Sequence, residues 1–119
     1  VKHAFDPASL RGALWAAGAL RKTRRALRKG RFTDVEVASP PTLPPRAGHG
    51  VRAVLRRSDP TCLERALVLQ AWETAQGGPR DVVIGVRGSG DALAAHAWLE
   101  GERNGDLGQY EELMRVPPR

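Results

Sequence analysis

The stretch "DPTCLERALVLQ" at residues 59–70 holds the chain's only cysteine, Cys62, and sets it where a helix should begin. Backbone N–H groups at a helix start have no carbonyl partner within the helix, and with the positive end of the helix dipole they favour a thiolate over a thiol. The same amides can hold the oxyanion formed when a thiolate attacks a carbonyl. Such a nucleophile works with a base. His96, inside "LAAHAWLE" at 93–100, is flanked by Ala95 and Ala97, which leave room for a group approaching the imidazole. His3 lies near the terminus and His49 between two glycines, so both are poorer partners.

A third group should orient the imidazole and set its tautomer. Asp106 is the first candidate, because a turn centred near Asn104-Gly105 can fold it back beside His96. Asp91, in the preceding turn, and Glu100 are the alternatives. Glu100 shares the strand face of His96 but stands roughly 13 Å along it at strand rise. Each residue alone also has a plain structural reading: Cys62 as a small buried apolar group, His96 as a satisfied strand residue. The order Cys-helix, strand, His-strand in one chain is what joins them.

The elements that must position these groups are legible in the pattern. Residues 6–30 read as a helix with Asp6 as N-cap, Pro7 in the first turn and Gly30 as the stop. Its expected apolar face is Leu10, Ala13, Leu14, Ala17, Leu20 and Leu27, broken by Arg24. "ASPPTLPPRAGHG" within 33–50 is a Pro/Gly-rich connection that cannot be helix. "GVRAVLRR" at 50–57 resumes as a short helix with Val51, Val54 and Leu55 on one side. A helix then runs from about Thr61 to Ala75, opened by the capping-box pattern Thr61-Cys62-Leu63-Glu64 and apolar around much of its circumference. "DVVIGVR" at 81–87 and "LAAHAWLE" at 93–100 read as strands joined by "GSGD". "QYEELMRVPP" fits a short strand or a helical turn. Trp15, Trp72 and Trp98 are expected in the core.

Taken together, "CLERALVLQ", "VVIGVR" and "AHAWLE" over residues 50–101 resemble the lasso-peptide leader peptidases, the C-terminal domains of lasso-peptide B proteins or their stand-alone counterparts. These are similar to the transglutaminase-like, papain-related cysteine-protease superfamily. The resemblance implies an α+β, transglutaminase-like/papain-like fold, with N-terminal helices and a central Cys-bearing helix packed on a small antiparallel sheet. It implies Cys62 as nucleophile, His96 as base and Asp106 as third member. It implies a precursor peptide as substrate and a small leader-binding protein as partner, with the lasso cyclase as a further candidate partner. After "AHAWLE" the chain departs from the family pattern: the stretch is shorter and "ERNGDLG" more polar.

Bulk numbers bound the rest. The 119 residues fit a single domain, 1–119, divided into a basic helical segment (1–32), the connection (33–50) and a catalytic Cys/His core (51–119). That leaves no room for a leader-binding domain and points to a stand-alone peptidase. Hydrophobic residues make up 41% and aromatics 5%, so the core should be mostly Leu, Val and Ala. One cysteine excludes an internal disulfide or a Cys-rich zinc site and fits a reducing cytoplasm. No cofactor or metal is implied. No apolar run reaches the length of a membrane span, and no signal-peptide pattern opens the sequence. The net charge is +6, concentrated in "RKTRRALRKGR" at 21–31. This invites a nucleic-acid reading, but no base-reading motif or stacking aromatics accompany the charges. The run also suits a helix C-terminus, and its Arg24, Arg25 and Arg28 could dock an acidic partner. The competing readings are a non-catalytic transglutaminase-like scaffold and a basic nucleic-acid-binding protein.

Overall fold

The computed structural model describes residues 6–30, 34–88, 92–102 and 109–119. Helix α1 (Pro7–Lys29) opens as the sequence predicts: Asp6 is extended and its carboxylate accepts from the Ala8 N–H at 3.3 Å. At the other end the Gly30 N–H closes on the Ala26 carbonyl. Its buried face is the predicted one only toward its C-terminal half, where Leu20 is buried and Leu27 packs partly buried on the core. Ala8, Ser9, Gly12, Ala16, Ala19, Leu20 and Thr23 point inward, while Leu10 and Leu14 are 56% and 67% exposed. The reason is close approach between helices. A Cβ on Gly12 would strike the carbonyl of Ala47, and one on Gly50 would strike the backbone of Ser9. Small residues let two backbones touch, and that contact outweighs burying two leucines against side chains farther away.

The partner is α2 (Gly48–Arg57), entered through a 3₁₀ turn at Pro45–Ala47. The non-helical connection is therefore shorter than the expected 33–50. Pro45 suits the first position of a turn, and Gly48 lies under the Trp72 indole, whose Nε1 would be 3.1 Å from a Cβ there. Val51 and Leu55 are buried as predicted, with Val54 partly so.

Helix α3 (Cys62–Ala75) forms the expected capping box. The Thr61 hydroxyl accepts from the Glu64 N–H at 3.2 Å, and the Glu64 carboxylate accepts from the Thr61 N–H at 2.9 Å. Glu64 also receives Arg24 at 3.1 Å, and the same guanidinium donates to the Ser58 carbonyl at 2.8 Å. Arg24 thus ties α1 to the entry of α3 and is no free docking charge. Ala66, Leu67, Val68, Leu69, Gln70 and Trp72 are all buried, so α3 is the central helix. The Gln70 amide donates to the carbonyls of Arg80 and Val116, each at 2.8 Å, joining the helix to the sheet.

The sheet is antiparallel with strand order β2-β1-β3, comprising β1 (Val82–Arg87), β2 (Ala94–Leu99) and β3 (Glu111–Val116). The C-terminal stretch left open between strand and helical turn is a strand. Val82 pairs with both Leu99 and Val116, and a bulge interrupts the β1–β3 register between Ile84 and Gly85. Val82, Ala97, Leu99 and Val116 join the helical core. By strand alternation, Val83, Gly85, His96 and Trp98 occupy the opposite face. The architecture is α+β, three helices on a small antiparallel sheet, as the sequence predicts. No helix among the described residues is long and apolar enough to cross a membrane.

Candidate active site

Cys62 is the first residue of α3 and half-buried. The capping box satisfies the Thr61 and Glu64 amides, which leaves those of Cys62 and Leu63 without a partner among the described residues. Its Sγ accepts a hydrogen bond from the Ala97 N–H at 3.4 Å. That N–H is available because β2 is an edge strand: alternate residues turn their N–H groups away from β1. Ala97 turns its group to the thiol, and Leu99 turns its own to the Glu102 carboxylate at 3.1 Å. The thiol therefore sits at the open edge of the strand that carries His96, one residue from it.

An open cleft of about 310 Å³ is lined by Cys62, Arg65, His96, Ala97, Trp98 and Glu102. His96 does not reach it from the helix-packed face of the sheet, as a mid-strand base packed directly on the Cys helix would. It lies on the other face, its ring stacked on Trp98 with centroids 5.7 Å apart and 5.4 Å from Tyr110. Trp98 and Tyr110 also touch at 6.0 Å, and the Arg87 guanidinium stands 5.1 Å over the Tyr110 ring. Packing holds the imidazole in place; neither ring nitrogen has a hydrogen-bond partner among the described residues. Trp98 is thus a half-buried support for His96, not a core residue, whereas Trp72 is buried. Trp15 is half-buried beside Trp72 at 6.2 Å and donates to the Ala38 carbonyl.

The acid is the member the geometry treats differently. Asp106 and Asp91 lie outside the described residues. Glu100 is turned to Arg115, which also bonds Glu112 at 2.9 Å. Hydrogen bonding from Arg115 lowers the Glu112 carboxyl below its usual range, and the Glu112 and Glu100 carboxylates raise the Arg115 guanidinium. Glu100 is thus held by an arginine at the sheet end and is not presented to His96. Among the described residues no cluster of His, Cys, Asp and Glu is placed to hold a metal ion.

A family model of the transglutaminase-like superfamily matches residues 8–115. The chain belongs to the transglutaminase-like superfamily. Cysteine proteases and transglutaminases are typical of this superfamily. No curated protein and no solved structure matches the chain at a significant level.

Two cleft residues of this transglutaminase-like domain escaped the sequence reading. Arg65 donates to both Glu102 carboxylate oxygens at 3.1 Å, and Glu102 in turn caps the Leu99 N–H. The pair clips the first turn of α3 to the end of β2. Half of the signal was present: Arg65 follows Cys62 by three residues and so shares its helix face. The other half needs the turn at Gly101, whose φ of 91° folds the Glu102 carboxylate back onto the strand.

Gly85 has a comparable hidden role. A Cβ there would come within 2.8 Å of the Trp98 ring and 3.1 Å of the Glu111 carbonyl. Gly85→Ala should push Trp98 off β1 and disturb the stack under His96. We expect a loss of about 1–3 kcal/mol of stability, measured by chemical unfolding, together with reduced reactivity of any catalytic pair that depends on the His96 ring. Unchanged stability would show that the ring can move aside at little cost.

Proposed function

We propose that this transglutaminase-like domain is a cysteine peptidase that removes the leader from a ribosomally made lasso-peptide precursor. The observation that supports it most is the seating of the Cys62 thiol on the Ala97 N–H, in one cleft with His96. In this reading His96 takes the thiol proton and the Cys62 thiolate attacks the carbonyl carbon of the leader–core bond. The open amide of Cys62 itself donates to the oxyanion. Collapse breaks the C–N bond, and His96 returns its proton to the departing amine. Water, deprotonated by His96, then hydrolyses the thioester and frees the leader carboxylate and the thiol. No other group need be consumed.

A leader-binding protein would raise the local concentration of the scissile bond without altering this chemistry, and the lasso cyclase is a further candidate partner downstream. The test is incubation of the purified chain with a lasso-peptide precursor, with and without the leader-binding protein, read by mass. Slow cleavage alone and faster cleavage with the partner at limiting precursor is the expected result. A folded, unreactive protein that binds the precursor without cutting it would favour the scaffold reading.

Asp106 is the proposed third member. Asp106→Asn should reduce turnover less than loss of Cys62, because an orienting acid positions the base and takes no part in bond making. Single-turnover cleavage by this variant distinguishes the roles: full activity would assign the orienting role to another group.

A further inference from the structure

Leu10 and Leu14 are exposed on α1, and Leu10 borders an open groove between α1 and α2 of about 640 Å³. Its walls are aliphatic, formed by Leu10, Ala13, Ala17, Ala53 and Val54, and its rim carries Arg52, Arg56 and Arg57 with no carboxylate. Arg52 pairs with Glu73 at 3.5 Å. The exposed Arg56 and Arg57 have no such partner among the described residues. Arg52 and Arg56 also line a second depression of about 370 Å³, together with Asp59, Pro60 and Arg65. Arg65 in turn lines the cleft that holds Cys62 and His96. Arg52 and Arg56 border the first two depressions and Arg65 the last two, so the three lie in succession, a furrow interrupted by these side chains, from the α1–α2 groove past the entry of α3 to the thiol.

The geometry points to this furrow as a binding track for an extended acidic polypeptide, its aliphatic side chains in the α1–α2 groove, its carboxylates on Arg56 and Arg57, and its far end delivered to Cys62. The inference rests on the reading of Cys62 as nucleophile and names where the substrate lies beyond the scissile bond. Charge decides the sign of the ligand: two unpartnered arginines on a rim without acids favour carboxylates. The wall chemistry decides the class. Aliphatic side chains suit Leu, Ile or Val of a peptide, and the groove lining offers a base no Phe, Tyr or Trp, its one ring being the His49 imidazole.

The probe is a soluble fluorescein-labelled peptide rich in Glu with interspersed Leu, titrated into the full chain and followed by anisotropy. It should bind saturably and weaken with salt, and the Arg56→Glu/Arg57→Glu variant should bind about tenfold more weakly. Bound peptide should also slow iodoacetamide labelling of Cys62 several-fold. The double variant should label at the unprotected wild-type rate with or without peptide, which shows that it is folded and has an intact thiol.

Equal affinity in the double variant, or binding without protection of Cys62, overturns the track. So does binding of an oligonucleotide or of phosphatidylserine vesicles in place of the peptide, lost in the same variant. A concentration-dependent dimer lost in that variant assigns the groove to a second copy and overturns it equally. A track that binds and shields in a chain that cleaves no precursor leaves this inference standing and removes the peptidase reading alone.

Discussion

Cys62→Ala protein should fold and fail to cleave. Without the thiolate there is no thioester intermediate, and loss of a nucleophile costs roughly 10⁴-fold or more in turnover. The structure argues that the fold survives. Cys62 is half-buried at a helix start whose cap is made by Thr61 and Glu64, not by the cysteine. Removing Sγ leaves the Ala97 N–H facing an open cleft that water can enter, so no buried donor is orphaned. The packing cost should be about 1 kcal/mol. Mass analysis of precursor cleavage gives the activity, and circular dichroism with thermal unfolding gives the fold. Undiminished cleavage by folded Cys62→Ala protein would falsify the covalent mechanism.

His96→Ala should lower turnover by about 10²–10⁴-fold, the range of a positioned acid–base group. It should also slow iodoacetamide labelling of Cys62 at neutral pH, because the group that takes the thiol proton is gone. The stack complicates the comparison. His96 lies against Trp98 and Tyr110, and removing a ring from such a cluster costs about 0.5–1.5 kcal/mol by itself. His96→Phe keeps a flat ring there. It should recover the lost stability and none of the turnover. If His96→Phe regains activity along with stability, the imidazole acts only through packing, and the base must be sought elsewhere.

Much of this protein was decided by short-range chemistry that the sequence displays. The α3 cap is a contract between Thr61 and Glu64, three residues apart. Asp6 and Pro7 start α1, Gly30 stops it, and the β-branched run at 82–84 makes a strand in most contexts. Because these interactions close within one turn or one hairpin, the elements up to β2 were legible in sequence, as were Cys62 at a helix start and His96 within a strand; the α+β class came from the family resemblance, and the last element, β3, stayed open between strand and helical turn. Contacts between distant residues were a different matter. Which face of α1 is buried depended on how closely α2 approaches, and Gly12 and Gly50 settled that in favour of the small residues, turning Leu10 and Leu14 outward. Glu100 was an alternative orienting acid already distant from His96 along the strand, and only the pairing of β3 with β1 shows that Arg115 holds it. Arg65 and Glu102 are far apart in sequence, and only the turn at Gly101 and the seating of α3 on β2 bring them together. The bond from Ala97 to Cys62 exists because β2 is an edge strand. Strand order is a property of the whole sheet, whose pairings cross long stretches of chain and depend on everything packed beneath them, so no local pattern in "LAAHAWLE" could announce it.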